Sequence, residues 1–372
     1  MNEILKEIEE KMIRCIKCGE CQAVCPVFKE EQIEGYVARG KIKLLRTILN
    51  GQIEFTEAVQ RRIDECLNCN ACFVACPPGI DVDEIIITAR HQMRKNGIPL
   101  TESLKIVKNN ILEKNNPFGL PAQEKEQWIS KGIIERKSEN LFFAGCSISY
   151  SQNKVAKASL RVLDMAGIDY TTLGNDEICC GDPLLRMGEV EEYEKLREIN
   201  LRNFKDKGIK VIFTSCAGCV KSLKKDFGGE FEVYHTLEFL EKLAQEGKIE
   251  FDKEFKKKVV YFDGCDIGRH AGIFEAPREL LKIVPGLELL EFPKNRENSE
   301  CCGGPFMASF PDLAKSIAAK RIKSAMDLGV DTIAVACPTC LLNLKEGAKL
   351  VNGSQIDIQD ASIIIQKCVK KK

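Results

Sequence analysis

Ten cysteines between positions 146 and 340 form a five-cysteine pattern that occurs twice. In each copy a lone cysteine follows an apolar run, an adjacent Cys-Cys pair precedes a glycine, and a Cys-x-x-Cys motif closes the pattern. The first copy is Cys146, Cys179, Cys180, Cys216 and Cys219, and the second is Cys265, Cys301, Cys302, Cys337 and Cys340. Five thiolates exceed the four that a tetrahedral zinc ion or a cubane cluster needs. Each copy therefore predicts a centre with several metal ions, and a disulfide-bonded or zinc-filled site is the alternative for each half.

A different cysteine motif occurs twice near the N-terminus. Both copies have the rhythm C-x2-C-x2-C-x3-C-P, which is typical of proteins that bind two [4Fe-4S] clusters. In such proteins the first three cysteines of a motif hold one cluster and the fourth crosses to the other. Cluster 1 is thus predicted on Cys15, Cys18, Cys21 and Cys76, and cluster 2 on Cys66, Cys69, Cys72 and Cys25. Zinc sites seldom use this rhythm twice with a proline after each copy.

The overall composition narrows the class of protein. The 372 residues contain 55 Lys and Arg and 55 Asp and Glu, so no basic field predicts nucleic-acid binding. The charged N-terminus is unlike a signal peptide, and 19 cysteines without an export signal favour metal ligation over disulfides. We expect a cytoplasmic protein without its own membrane span, because no apolar run approaches the roughly 20 residues that a span needs. Docking on a membrane subunit is compatible with this expectation.

Apolar periodicity divides the chain into parts with different secondary structure. Helices are predicted for residues 2–14, 36–49 and 82–96, and a linker with one short helix follows. Alternating strands and helices begin at residue 139, with strands near 141–144, 170–173, 211–214, 231–234, 259–262, 287–292 and 332–335. The predicted domains are a helical ferredoxin domain (1–100), the linker (101–138) and two cysteine-rich α/β domains (139–252 and 253–372). The predicted fold class is therefore α/β with an all-α ferredoxin module, followed by two repeated α/β domains.

The predicted strands account for the positions of the cysteines. Ligands collect beyond the carboxyl ends of strands in α/β sheets, and Cys146, Cys216, Cys265 and Cys337 follow predicted strands. Cys219 and Cys340 then fall at the starts of helices, where the backbone N–H groups favour thiolates. Glycines beside the cysteines, such as Gly181 and Gly303, would let the backbone approach sulfur closely.

A few other side chains could take part in chemistry. Among the three histidines, His270 lies five residues after Cys265 and is the candidate proton donor, whereas His91 is expected to be solvated and His235 to cap a helix. Arg269 could bind a substrate anion or make a structural salt bridge. Cys368, near a C-terminus expected to fray, is predicted to be an unliganded surface residue.

These motifs together resemble heterodisulfide reductase. The paired Cys-Cys-Gly pattern resembles the cysteine-rich domains of its B and D subunits, and fusion to a helical ferredoxin module resembles the D subunit. The resemblance covers roughly residues 10–345. It is supported by the segments Asn116-Pro-Phe-Gly119, Cys180-Gly-Asp-Pro183, Gly268-Arg-His270 and Pro277-Arg-Glu279.

The resemblance implies a cofactor content of four [4Fe-4S] clusters, two cubane and two noncubane. Each complete five-cysteine set would hold one noncubane cluster, with zinc in one half as a minor alternative. The ten cysteines of these sets and His270 would form the catalytic residues. The chain departs from many relatives at Asp263-Gly264-Cys265-Asp266, where a proline often precedes the cysteine and a histidine follows it. A proton-donor role for position 266 is therefore left open.

The function that the resemblance implies is anaerobic disulfide chemistry of the kind used in methanogenesis. The chain would be the catalytic subunit that reduces or forms a small disulfide such as CoM-S-S-CoB, with electrons exchanged through the ferredoxin clusters. Its partner would be a flavoprotein, a ferredoxin or a membrane cytochrome b subunit. The alternative is an electron-transfer subunit that links a flavoprotein dehydrogenase of glycolate, lactate or glycerol-3-phosphate type to a quinone, cytochrome or ferredoxin.

Overall fold

The computed structural model describes residues 2–129 and 131–370, and short helices make up its N-terminal part. These helices are α1 (Glu3–Lys6), α2 (Glu9–Ile13), α3 (Glu20–Val24), α4 (Phe28–Glu31), α5 (Ala38–Leu49), α6 (Glu57–Asp64), α7 (Ala71–Val74) and α8 (Val82–Lys95). The two longest, α5 and α8, present the apolar faces that bury Leu45 and Ile85. The helix predicted over residues 2–14 is broken into α1 and α2.

The segment that links the helical part to the sheets is more helical than predicted. It contains α9 (Glu102–Lys114), a 3-10 helix (Ala122–Trp128) and α10 (Lys131–Ile134). The indole of Trp128 is buried edge-on against Phe142, with ring centroids 6.4 Å apart. Expecting a single short helix here was wrong, because the apolar residues of the segment pack on the following domain and stabilise further helical turns.

Two parallel sheets organise the rest of the chain. The first has β1 (Asn140–Phe142), β2 (Val211–Thr214) and β3 (Glu232–His235) in the order β1-β2-β3. The second has β4 (Lys258–Tyr261), β5 (Glu288–Glu291), β6 (Thr332–Val335) and β7 (Asp357–Asp360) in the order β5-β4-β6-β7. The helices are α11 (Cys146–Ser151), α12 (Asn153–Met165), α13 (Asp182–Met187), α14 (Val190–Asp206), α15 (Ala217–Phe227), α16 (Thr236–Gln245), α17 (Ala276–Lys282), α18 (Pro311–Asp327), α19 (Pro338–Ala348) and α20 (Ala361–Cys368).

The two sheets repeat one topology, except at one edge. The strand predicted over 170–173 is reduced to a single parallel bridge between Leu141 and Thr171, at the position that β5 occupies in the second sheet. Phe142 N donates to Thr171 O and Thr171 N donates to Asn140 O, both at 2.9 Å. The chain turns away into a 3-10 helix at Gly174 before more pairs can form. The fold class predicted from the sequence is nevertheless confirmed.

The two α/β halves share one apolar core. Helix α20 of the second half packs on α12 of the first, and α16 packs on α17. Cys368, the last residue of α20, is only 1% exposed. The prediction that Cys368 lies on the surface is therefore wrong, because β7 and α20, which the sequence analysis did not predict, bury the end of the chain. No helix within the described residues is long and apolar enough to cross a bilayer.

Candidate metal centres

The eight N-terminal cysteines line two neighbouring cavities. One cavity brings Cys76 together with the first motif, and the other brings Cys25 together with the second motif. We call the set Cys15, Cys18, Cys21 and Cys76 the first ferredoxin site, and the set Cys66, Cys69, Cys72 and Cys25 the second ferredoxin site. Helices α3 and α7 begin directly after residues with positive φ, Gly19 and Asn70, so the backbone of each motif bends around its cavity.

The two ferredoxin sites differ in exposure. Cys18 of the first is exposed, whereas Cys69 of the second is buried. Burial raises the pKa of Cys25 to about 11 and the pKa of Cys72 well above its ordinary value. The fully buried ammonium of Lys41 lies beside the second site and donates to Glu65 O at 2.8 Å. Buried thiols of this kind ionise only next to positive charge, which a bound iron–sulfur cluster supplies.

The five cysteines of the first copy converge beyond β1 and β2, and we call them the first cysteine-rich site. Cys180 and Cys219 have their sulfur atoms 3.6 Å apart. Cys179 lies beside Cys146 and Cys180, and Cys216 lies beside Cys219. These neighbouring sulfur atoms and burial raise the pKa of Cys179 and of Cys219 well above the ordinary value.

The second copy converges in the same way beyond β4 and β6, forming the second cysteine-rich site. The sulfur atoms of Cys302 and Cys340 lie 3.2 Å apart, and Cys301 lies beside Cys265 and Cys302. All 19 cysteines of the chain are free thiols, so neither site is disulfide-bonded. Within residues 2–129 and 131–370, no three His, Cys, Asp or Glu side chains are placed to hold a single metal ion. Each five-cysteine set has one thiol more than a tetrahedral zinc ion needs, so the donor set of each site fits a cluster with several irons.

A buried asparagine holds the Cys-Cys loop in each half. Asn200 Nδ2 donates to Cys179 O at 3.0 Å, and Asn343 Nδ2 donates to Cys302 O at 2.7 Å. The glycine after each pair has positive φ, and a Cβ on Gly303 would lie 2.8 Å from Ala314 O. Gly303 N also donates to Cys301 Sγ at 3.4 Å. Gly181 N makes the same contact with Cys179 Sγ, at 3.5 Å, so the glycine contact is repeated, whereas the two asparagines come from different helices, α14 and α19, and bind different members of the cysteine pair.

The outer side of the first cysteine-rich site is covered by the linker. Cys179 N donates to Asn115 O at 3.0 Å, and Lys125 Nζ donates to Glu177 O. The carboxylate of Glu177 accepts hydrogen bonds from Ala144 N (3.0 Å) and Gly145 N (2.8 Å), just before Cys146. Burial raises the pKa of Glu177 to about 7, against the opposing effects of Lys125 and these bonds. Glu177 thus stabilises the loop that carries Cys146 through these two hydrogen bonds.

The outer side of the second cysteine-rich site is covered instead by the second ferredoxin site. Arg269 Nε donates to Cys69 O at 2.6 Å, and Arg269 Nη1 donates to Ser299 O at 2.6 Å. His270 Nε2 lies 2.8 Å from Asn68 O and so carries the proton that it donates. Both side chains therefore join the ferredoxin part to the second α/β half. Arg269 is thus used structurally through hydrogen bonds to carbonyl oxygens and not through the salt bridge considered from the sequence, and the proton-donor role of His270 stays a prediction.

A buried ionic cluster lies between the two cysteine-rich sites. Arg186 Nε donates to Asp182 Oδ2 at 2.7 Å, Arg186 Nη2 donates to Asp266 Oδ1 at 2.6 Å, and Lys221 lies 2.8 Å from Asp182. Arg186 Nη1 also donates to Leu67 O in the ferredoxin part, at 3.2 Å. Pairing with Arg186 and Lys221 lowers the pKa of Asp266 despite its burial. A carboxylate held ionised in this way is a poor proton donor.

His235 caps helix α16, as expected from the sequence. Its Nδ1 accepts a hydrogen bond from Leu237 N at 3.2 Å, so Nε2 carries the proton and donates to Ala336 O at 3.0 Å. Burial lowers the pKa of His235 to about 4. The neutral ring therefore connects the first half to the residue before Cys337. His91 lies beside Glu191, with a side chain that is only 16% exposed, so it is less solvated than expected.

Sequence reasoning did not single out Asn200, Asn343, Glu177, Lys125 or Arg186. A lone asparagine or arginine within a helix carries no motif, because its partner is a backbone atom or a distant carboxylate. Two of the segments that carried the resemblance did contain such signals: Asp182 of Cys180-Gly-Asp-Pro183 and Arg278 of Pro277-Arg-Glu279 both make buried ion pairs.

Comparison with known proteins agrees with this arrangement. Residues 140–224 and 259–345 match the family described as Cysteine-rich domain, and residues 11–80 match the 4Fe-4S dicluster domain. The chain is 34% identical to the D subunit of the dihydromethanophenazine:CoB–CoM heterodisulfide reductase of Methanosarcina acetivorans, over 95% of this chain and 93% of that protein. It is 28% identical to EtfAB:quinone oxidoreductase of Syntrophomonas wolfei, over 92% of this chain and 56% of that protein.

One solved structure is similar in fold. A hypothetical protein from Helicobacter pylori aligns with a TM-score of 0.58 over 100% of this chain and 76% of that chain, at 12% identity. At this level of identity the likeness concerns the fold alone.

Proposed function

Because this chain belongs to the family of heterodisulfide reductase D subunits, we propose that it is the iron–sulfur catalytic subunit of such an enzyme. Its reaction would be the two-electron reduction, or the formation, of a small disulfide such as CoM-S-S-CoB. Reduction takes up two electrons and two protons, breaks the S–S bond and releases two thiols. The coarser role, an iron–sulfur oxidoreductase, is common to the relatives.

The observation that carries the proposal is that two complete five-cysteine sites face each other. Cys337 of the second site lies close enough to Cys216 of the first for its negative charge to raise the pKa of Cys216. Each follows the central strands of its own sheet, β2 and β6, by two residues. Iron–sulfur clusters, when bound, supply one-electron transfers, so two facing sites match the two electrons that a disulfide needs.

The residues around the two cysteine-rich sites also support two-electron chemistry at these sites. Arg186, Asp182 and Asp266 connect the two sites and the ferredoxin part, so these three parts are held in a fixed relation. Cys69 and Cys301 are buried in the same cluster, which would provide a short route between the second ferredoxin site and the second cysteine-rich site. The exposed Cys18 puts the first ferredoxin site where a redox partner protein could reach it.

The proposed cofactors are two cubane [4Fe-4S] clusters in the ferredoxin sites and two noncubane [4Fe-4S] clusters in the cysteine-rich sites. The ligands are the two sets of four and two sets of five cysteines defined above. Anaerobically purified protein should then contain about 16 irons per chain and no zinc. The free, closely spaced thiols of the five-cysteine sites support a multi-iron centre over a disulfide.

The experiment that tests the proposal compares three cysteine variants. Cys180→Ser and Cys302→Ser should abolish disulfide turnover while chemical reduction of the ferredoxin clusters continues. Cys368→Ala is the matched control, because Cys368 is buried but belongs to none of the four sites. Turnover that survives in either of the first two variants would contradict the proposal.

A second candidate is an electron-transfer subunit that links a flavoprotein dehydrogenase to a quinone, cytochrome or ferredoxin. The similarity to EtfAB:quinone oxidoreductase favours it. Disulfide turnover is absent in this case, and the reduced protein is reoxidised by a quinone or by an electron-transfer partner alone. An iron content of about 12 or less, together with zinc, would also support this candidate, since one cysteine-rich half would then be structural.

A further inference from the structure

Two adjoining cavities lie beside the second cysteine-rich site, on the side of the ferredoxin part. Their volumes are about 350 and 270 Å³, and both are lined by Pro293, Lys294, Ser299 and Glu300. Sites for small molecules typically measure about 300–1,000 Å³, so the pair is large enough for a small ligand. Glu300 directly precedes Cys301, so this space adjoins the Cys-Cys loop.

The charge around these cavities is unbalanced. The Glu300 carboxylate forms ion pairs with Lys29 of the ferredoxin part, with Arg321 of α18 and, at 3.7 Å, with Lys294. Three cations thus share one carboxylate. The nearby Glu30 does not correct the excess, because Lys320 lies 2.8 Å from it.

The other two acidic side chains that line the cavities are not among the ion-pair partners of these three cations. Asp263 makes a bidentate pair with Arg278, at 2.7 Å for both hydrogen bonds, and Arg278 is shared with Glu291. Glu297, like Lys294, is exposed, and it accepts a hydrogen bond from Asn298. The positive excess is therefore confined to the cluster around Glu300, where three cations meet one carboxylate.

An ion pair that only joined the ferredoxin part to the second α/β half would not account for this excess of positive charge. One lysine would be enough to pair with Glu300, whereas added cations repel each other. Burial and the charges of Lys294 and Arg321 lower the pKa of Lys29 to about 8, and burial lowers the pKa of Arg321 to about 10. Arg321 Nε is also buried without a hydrogen-bond partner among the described residues. Each of these costs would be reduced by an anion in the cavity.

We propose that these cavities bind the oxyanion group of a small molecule, held by Lys29, Lys294 and Arg321. A phosphate, sulfonate or carboxylate has the charge and the acceptor atoms that the three cations lack. This site goes beyond the proposed function and does not depend on it, because anion binding can be measured without any turnover.

The test is isothermal titration of the full-length, cluster-loaded protein with inorganic phosphate under anaerobic conditions. We expect saturable binding to the wild type that Lys294→Gln weakens by about tenfold or more, since one charge-assisted contact is lost. Lys282→Gln is the matched control, because Lys282 is in the same half, is equally exposed at 52% and pairs with Glu279 away from the cavities. The control should bind phosphate as the wild type does.

A variant that removes a negative charge should change phosphate affinity in the opposite direction. Glu300→Gln removes the carboxylate that competes for the three cations, so it should tighten phosphate binding. Absence of phosphate binding to the wild type, or equal weakening by Lys294→Gln and Lys282→Gln, would overturn the proposal. So would weaker binding to a folded Glu300→Gln protein, which would mean that the cations serve only the ion pair.

Competition distinguishes the two sources of the oxyanion. If the group belongs to the disulfide substrate, the disulfide of mercaptopropanesulfonate will displace phosphate and the uncharged disulfide of mercaptoethanol will not. If the site serves a free anion, neither disulfide will displace phosphate. Both results agree with an anion-binding site at these cavities. Displacement by the uncharged disulfide alone would contradict an anion-specific pocket.

Discussion

Cys69 of the second ferredoxin site and Cys301 of the second cysteine-rich site lie in one buried cluster, close enough for Cys301 to lower the pKa of Cys69. The corresponding cysteine of the first half, Cys179, instead meets the linker through Asn115 O. The two otherwise repeated halves are therefore unequal. If clusters occupy the sites, electrons reach the second cysteine-rich site first.

This asymmetry predicts an effect of Arg269→Gln. The substitution removes the guanidinium that joins Cys69 O to Ser299 O, so the two sites should separate and electron transfer between them should slow several-fold. Stopped-flow absorbance would follow reoxidation of the reduced ferredoxin clusters by disulfide, at unchanged iron content. Arg296→Gln, which removes an exposed pair with Glu275, serves as the control. Equal rates in both variants would mean that electrons do not pass by Cys69 and Cys301.

The asparagine that holds each Cys-Cys loop gives a second prediction. Asn200→Ala leaves Cys179 O without its donor, at a cost of about 1–3 kcal/mol in the folded state. We expect a loss of up to about four irons per chain, the content of one cluster, when the protein is purified. Asn203→Ala, one turn further along α14 and only partly buried, should keep the full content. Iron and acid-labile sulfide assays decide the matter, and equal contents would show that the loop holds without Asn200.

The fully buried Arg278 gives a prediction on stability. Arg278→Met leaves Asp263 without its bidentate partner, which should lower the free energy of unfolding by about 3–5 kcal/mol. Thermal unfolding under anaerobic conditions measures the loss. Lys282→Met, which removes an exposed i,i+3 pair, should change it by less than about 1 kcal/mol. If Arg278→Met were as stable as this control, Asp263 would have to be satisfied by other groups.

His235 gives a prediction on pH. Its pKa is about 6.5 in the unfolded chain and is lowered to about 4 in the fold, so the unfolded chain takes up the proton first as pH falls. The stability that depends on a neutral His235 is present above pH 6.5 and is lost as pH falls toward 4. Between pH 7 and pH 5 the loss should be about 2 kcal/mol.

The variant His235→Asn isolates this contribution. Asparagine is also a good N-cap but does not titrate, so this variant should lose about 2 kcal/mol less stability than the wild type over the same pH range. Chemical unfolding at the two pH values measures the difference. Parallel loss of stability in both proteins would mean that His235 is not the titrating group.

Local patterns were enough to predict the helical ferredoxin module, the two α/β halves and the loops that carry the cysteines. They predicted the helix over 82–96 well, observed as α8 (Val82–Lys95), because its apolar spacing and the following Gly97 are local signals. They did not predict β7, whose sequence Asp-Ile-Gln-Asp has a single buried apolar side chain, Ile358, and pairs only because β6 lies beside it. The burial of Cys368 was missed for the same reason.

The contacts between the parts could not be read from the sequence either. Cys69 and Cys301 are more than 200 residues apart, and no local periodicity reports that the two loops meet. The ion pair between Arg186 and Asp266 joins two halves in the same way. Motif spacing indicates which residues share a site, whereas the relation between sites follows from packing.

A single turnover is the decisive experiment on the proposed disulfide chemistry. Protein reduced under anaerobic conditions and freed of excess reductant is mixed with a small disulfide, and cluster absorbance and released thiols are followed together. We predict that the clusters are reoxidised and that two thiols appear for each disulfide consumed. Clusters that stay reduced with every disulfide tested, but are reoxidised by a quinone, would contradict disulfide chemistry and establish the electron-transfer alternative.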